Sequence, residues 1–327
     1  MSIKTVAEHM RKHLILYTVL TILLALPIGY YYKAWIAHNK ELVSNLIVIM
    51  AILTILPSAI QLKIEGFMKN LKDWKSMIIF LLYVYVLVPV IAMALAPALG
   101  DPLVGIGFVT TNAVPASSAS LGYVFIAGGS VELATALIII STIIGIPVMP
   151  LIIKTYANIA SVPVPIEVII ISLTEVLVAP LVVGQSIRYI ILKKKGRKYV
   201  DEDLKPLLSL WTMLALLVLI FLLIFSQAAK VISNPLVAVK IIGYQVAVMI
   251  GVFGVSLAIS RALHIKYENH QAIAILSMTK NASIAAGIMA SALGPQAAVA
   301  PALIPTIQPV VVIAYLNAEN WVRKFLR

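Results

Sequence analysis

Ser277-Met278-Thr279-Lys280-Asn281-Ala282-Ser283 interrupts an apolar run that extends from Gln271 to Leu293. Five of these seven side chains are polar, where a membrane-spanning helix should be hydrocarbon. An ammonium at mid-bilayer costs ~2.5–3.5 kcal/mol on insertion scales, so a lysine there needs a partner or a wet cavity. Ala282, Ser283, Ala285, Ala286 and Gly287 follow, and such small side chains let helix backbones approach closely. The pattern predicts a helix unwound near Lys280–Asn281, with its free backbone groups facing a cavity. The candidate substrate site is centred there, on Thr279, Lys280, Asn281 and Ser283.

Composition agrees with a membrane setting. Of 327 residues, 61% are hydrophobic and only 12% charged, against roughly 25% charged in soluble domains. The net charge of +12 could suggest nucleic acid. The cations, however, cluster in short loops between apolar runs, as the positive-inside rule requires, so no nucleic-acid partner is expected. With no cysteine in the chain, disulfides, thiolate metal sites and cysteine nucleophiles are excluded. No metal or cofactor is expected. Met1–His13 is basic, but the apolar run after it lacks a small-residue cleavage site, so no cleavable leader is expected.

Ten apolar runs approach the ~20 residues that a bilayer needs. They fall at 13–32, 42–62, 77–99, 102–128, 131–156, 166–192, 206–229, 235–263, 271–293 and 296–316. An even number places both termini on one side. That side carries 19 Lys and Arg residues against 4 on the other, with Lys240 and Lys280 left inside spans. Both termini are therefore expected in the cytoplasm, and the protein in the cell membrane. The longest charged segment, Lys193–Asp203, is read as a solvated loop between the sixth and seventh spans, with anionic-lipid contact as a secondary role.

That segment lies near the middle of the chain, with five spans on either side. Five is odd, so the halves insert with opposite orientation, the geometry of an inverted repeat. The repeats are expected at 1–160 and 161–327, within a single membrane domain. Ala25-Leu26-Pro27 in the first span faces Val178-Ala179-Pro180 in the sixth, and Thr110-Thr111-Asn112-Ala113 faces Thr279-Lys280-Asn281-Ala282.

The fourth span is unusual as well. Thr110, Thr111, Asn112, Ser117, Ser118 and Ser120 put six hydroxyl or amide side chains into eleven residues, together with Pro115. Proline frees the carbonyl four residues before it, and serines can bond back to their own helix carbonyls. A kinked but continuous helix is one reading. Two such helices, one in each half, favour a pair of broken helices meeting at a binding site. Asn112, Ser117, Ser118 and Ser120 join the candidate substrate residues on that ground.

Glu175 is an acid near the middle of the sixth span, where a carboxylate is either neutral or paired. It is the coupling candidate, with Lys280 as its partner. Lys240 lies near an outer helix end and is expected to snorkel. Glu132 opens the fifth helix, where a carboxylate suits the helix dipole. Pro301, Pro305 and Pro309 kink the last span.

At the two unusual spans the chain resembles the bile acid:sodium symporter family, and more distantly its arsenite-efflux permease relatives. The matching pieces are Pro115-Ala116-Ser117-Ser118-Ala119-Ser120, Tyr123–Gly129 with the helix through Pro150, Val178–Gly184, and Asn281. The resemblance implies a panel of spans one, two, six and seven that rocks against a six-helix core where the broken helices cross. Sodium-coupled members use a glutamate and a glutamine in the ninth span, and here those positions read Leu276 and Lys280. Ser120 persists, but other ligand positions read Val84, Leu121, Ala134 and Ile138, and the arsenite permeases' cysteine is missing.

The expectation is an all-α polytopic secondary transporter for a small organic anion, not coupled to sodium and not an enzyme. Lys280 would supply the positive charge that sodium supplies in relatives, either holding a substrate carboxylate or pairing with Glu175 until substrate or a proton displaces it. Lys280 could instead lock two core helices. A hydrolase would use Ser277 or Ser283 with Lys280 as base, yet no oxyanion-hole arrangement accompanies them.

Overall fold

Proline positions explain much of the helix geometry in the computed structural model, which describes residues 3–64 and 73–326. Lys69, Lys72 and Arg327, three of the cations counted for the cytoplasmic side, lie outside the described residues. The chain opens with α1 (Ile3–Lys12), α2 (Leu14–Tyr31), the short α3 (Lys33–His38) and α4 (Lys40–Gln61). Next come α5 (Trp74–Leu99), the pair α6 (Pro102–Ala113) and α7 (Leu121–Ile126), then α8 (Val131–Ile159). The second half has α9 (Ile166–Asp203), α10 (Lys205–Ser233) and α11 (Pro235–Ala262). The pair α12 (Tyr267–Met278) and α13 (Ala282–Leu293), α14 (Val299–Asn317) and α15 (Glu319–Leu326) complete it.

Seven of these helices are long and apolar enough to cross a bilayer, or eight if the bent pair α1–α2 counts as one crossing. The fourth and ninth expected spans fall short because each is cut into two shorter helices. Large apolar side chains such as Leu24, Val182 and Val239 stand about 60% exposed, as expected of surfaces facing hydrocarbon rather than water. The protein is an all-helical, polytopic integral membrane protein.

Two of the long helices carry a π turn just before a proline. In α5, Tyr83–Leu87 is wound wide and Val88 N–H donates to Tyr83 O, ahead of Pro89. In α9, Thr174–Val178 does the same, with Ala179 N–H donating to Thr174 O ahead of Pro180. A missing proline N–H leaves a ladder position open, and a wide turn is one way to absorb it. Helix starts follow ordinary capping rules. Asp101 accepts from Leu103 and Val104 N–H (3.0 and 3.2 Å) at α6. Ser130 accepts from Leu133 N–H (3.2 Å) at α8, where Glu132 sits in the first turn as expected.

The chain forms two compact units that interleave in sequence, so neither coincides with residues 1–160 or 161–327. The first comprises residues 1–62, 164–238 and 283–303. It holds α1–α4, α9, α10 and nearly all of α13. Expected with the core helices, α13 groups instead with α4 and α9, and Gly287 gives the reason. A Cβ on Gly287 would stand 2.4 Å from Val176 Cγ1 and 2.7 Å from Ala51 Cβ. Only a small-residue face permits this approach.

The charged segment read as a solvated loop is helical instead. Helix α9 runs past Leu192 to Lys198, breaks at Gly196 (φ 79°) and ends in a π turn at Tyr199–Asp203. Arg188 is buried (1% exposed) and its Nη2 meets Asp201 Oδ1 at 2.9 Å, so the polar segment is folded back onto a buried partner.

The second unit comprises residues 63–163, 239–282 and 304–327. It holds α5–α8, most of α11, α12, α14 from Ile304, and α15. Lys240 is half-buried and donates to Ala98 O at 3.0 Å.

Candidate functional site

Within the second unit, α6 stops at Ala113 and α12 at Met278. The chain then runs extended through Val114–Ser117 and Thr279–Asn281, and the two extended pieces pair antiparallel. Ala116 faces Lys280 in an isolated bridge, Ser117 N–H donates to Thr279 O (3.1 Å), and Asn281 N–H donates to Pro115 O (3.0 Å). Pro115 therefore ends its helix rather than kinking it. The crossing satisfies backbone groups that a helix break would leave bare in hydrocarbon.

The side chains around the crossing are mostly buried. Thr279 and Lys280 are each 2% exposed. Thr279 Oγ1 bonds back to Ile275 O (2.7 Å). Lys280 Nζ has no hydrogen-bond partner among the described residues, and neither does Ser277 Oγ. Asn112 and Gln245 exchange two amide hydrogen bonds of 3.0 and 3.2 Å, fully buried. Asn112 Nδ2 also donates to Phe108 O (2.9 Å). Ser117 and Ser118 are half-buried; Ser120 is buried at the end of a 3₁₀ turn. Asn281 is half-buried.

Two sequence-selected residues belong to the other unit. Ser283 is buried near the start of α13, and Glu175, in the π turn of α9, accepts from Ser291 Oγ at 3.1 Å. Glu175 is exposed on its helix.

The apolar residues that the family resemblance set at expected sodium-ligand positions are packed into the protein. Val84, Ala134, Ile138 and Leu276 are buried, and Leu121 is half-buried. Among the described residues, no group of three His, Cys, Asp or Glu side chains could hold a metal ion.

The sequence reading missed the residues that brace the crossing. Gln245 is an amide within the apolar α11, a signal that could have been noticed. Tyr85 OH donates to Ser141 O, and a Cβ on Gly145 would stand 2.6 Å from that hydroxyl and 3.2 Å from Pro115 Cγ. Gly145 thus lets α8 approach Tyr85 and Pro115. Glycine within a long apolar helix gave no hint of this.

These features define a membrane protein with paired interrupted helices, an arrangement characteristic of secondary transporters. The sequence pattern of the Sodium Bile acid symporter family matches residues 47–235, more than half of the chain, which belongs to that family. It is a family of transporters, not enzymes. The match takes in α6 and α7, whereas the Lys280 break lies beyond it. The chain is also 26% identical over 144 residues to the Arsenical-resistance protein Acr3 of Corynebacterium glutamicum. That alignment covers 43% of this chain and 39% of the relative.

Proposed function

We propose that this chain is a secondary transporter that moves a small organic anion by alternating access, with Lys280 in place of the coupling cation. The observation that carries the reading is the Lys280 ammonium, 2% exposed and without a partner among the described residues, beside two helix breaks. An unpaired charge of this kind is costly to bury, and a substrate carboxylate would compensate it. Substrate contacts are assigned to Lys280, Thr279, Asn281, Ser283, Asn112, Ser117, Ser118 and Ser120. Glu175, which accepts from Ser291 Oγ rather than pairing with Lys280 in this structure, remains the coupling candidate.

The membrane arrangement proposed has ten passages: the seven long apolar helices, α2, and the two interrupted pairs. Both termini lie in the cytoplasm of a cell-membrane protein, and the halves 1–160 and 161–327 are inverted repeats. Support for the repeat comes from the breaks in the fourth and ninth passages, and from each compact unit drawing on both halves. The first unit would serve as the moving panel and the second as the core.

Two readings compete. The family's description names sodium symport and the relative's name carries arsenical resistance, but hydrocarbon at Leu276, Ala134 and Ile138 argues against a sodium site of that type. A Ser277/Lys280 hydrolase would be exposed by cleavage of a reporter peptide. The deciding experiment is a thermal-shift screen of small organic anions on purified protein, with and without sodium, followed by flux into proteoliposomes. Stabilisation by an anion in sodium-free buffer, with matching flux, supports the proposal. Anion effects that appear only with sodium would overturn it.

A further inference from the structure

Helix α1 carries Ile3, Val6, Ala7 and Met10 on one stripe, at the spacing of an amphipathic helix. Lys4 and Arg11 flank that stripe, and Lys12 lies opposite. The axis of α1 turns 74° from the following helix. With α2 as the first passage of the proposed arrangement, standing within ~40° of the bilayer normal, α1 would run nearer the membrane plane. Its stripe is only partly covered by protein: Ala7 is buried, Val6 and Met10 are half-buried, and Ile3 is 52% exposed. Among the charged side chains of α1, Glu8 is the one acid beside three Lys or Arg residues, all exposed.

A second basic element of the same unit reaches the same end. Gly29, late in α2, abuts Ala228, late in α10, where an added Cβ would come within 2.7 Å. These two helices therefore run parallel, and their first residues share one end of the unit. There α1 packs against α10, and the basic run 193–198 of α9 leads into Lys205 at the start of α10. Its five cations are exposed, although Lys195 Nζ lies 4.3 Å from the Tyr199 ring centroid. Glu202 and Asp203 are the exposed acids nearby, while Asp201 is engaged by Arg188.

We propose that α1 is an in-plane anchor that, together with the basic run of α9, binds anionic phospholipid headgroups of the leaflet on the basic side. A partly uncovered apolar stripe enters the interface while flanking cations reach the phosphates. The inference does not depend on the transported substrate.

The chain has no cysteine, so a single His9→Cys substitution allows one environment-sensitive fluorophore on α1 of the full-length protein. Labelled protein is placed in nanodiscs holding phosphatidylcholine with brominated phosphatidylglycerol, or brominated phosphatidylcholine at equal mole fraction. Each cation near an anionic surface contributes about five-fold in local lipid preference at ordinary ionic strength. Brominated phosphatidylglycerol should therefore quench several-fold more than brominated phosphatidylcholine. Adding Lys4→Gln, Arg11→Gln and Lys12→Gln should remove most of the difference, whereas Lys4→Arg with Lys12→Arg should retain it. Equal quenching by both lipids, no quenching by either, or full preference in the neutralised variant would overturn the proposal.

Discussion

Arg188 in the first unit and Lys280 in the second are both buried cations, and they are held in opposite ways. Arg188 donates to Asp201 at 2.9 Å and to Ile60 O at 3.1 Å. Beside it, Gln185 Nε2 donates to Ala59 O (2.6 Å) and Leu62 O (2.9 Å). Together they satisfy carbonyls at the end of α4 that a helix terminus otherwise leaves without donors. Lys280 is as deeply buried, and its Nζ has no partner among the described residues. The difference separates a cation that completes a fold from one whose position makes sense with a ligand. Burial alone does not distinguish them; the inventory of partners does.

The contrast breaks most readily on the Arg188 side. Removing one partner from a buried ion pair costs ~3–5 kcal/mol, so Arg188→Met should lower unfolding stability in detergent by about that amount. Unfolding of Arg188→Met at the parent's denaturant midpoint would mean the pair is not structural.

Lys280 should show the reverse. Lys280→Met removes an uncompensated charge, so stability should hold or rise, while Lys280→Gln should weaken anion binding by at least ~100-fold, about 2.7 kcal/mol. Lys280→Arg keeps the charge with altered shape and should bind at an intermediate level. Calorimetry with the best anion from the screen, on protein first confirmed to elute folded, measures all three. Undiminished binding by Lys280→Gln would make the lysine structural, like Arg188.

A smaller effect is expected at the amide pair. Gln245→Leu leaves Asn112 with unpaired amide groups, a cost of ~1–3 kcal/mol, read as a shift in unfolding midpoint. The double substitution Asn112→Leu/Gln245→Leu should recover part of the loss; if it is additive, the two amides act independently.

Coupling between Glu175 and Lys280 is tested by Glu175→Gln, Lys280→Met and the double variant. Interacting sites depart from additivity by ~0.5–3 kcal/mol, in stability or in transport. Additive effects on both would remove Glu175 from the mechanism.

Sodium should have no effect. Melting temperature and flux are expected to be equal in sodium, potassium and choline at matched ionic strength. A saturating, sodium-specific stabilisation would show that a cation site survives despite Leu276 and Lys280.

Much of this was legible in the sequence because the bilayer is a demanding solvent. Hydrocarbon requires long apolar helices with internally satisfied backbones, so apolar run length and proline position gave most spans to within a few residues. Polar clusters at Thr110–Ser120 and Ser277–Ser283 marked both breaks for the same reason. Local composition could not say how those breaks are repaired, because the pairing of Ser117 with Thr279 and of Asn281 with Pro115 joins segments more than 160 residues apart. Nor could it show that Arg188 ties the far end of the charged Lys193–Asp203 segment to α4, since that depends on the Ile60 carbonyl and on Asp201 beyond a backbone break. Hydrophobicity is a property of each residue and is read along the chain. Whether a buried polar group is satisfied depends on what other segments bring to it, and only the tertiary structure decided that Arg188 has its partners and the Lys280 ammonium has none among the described residues.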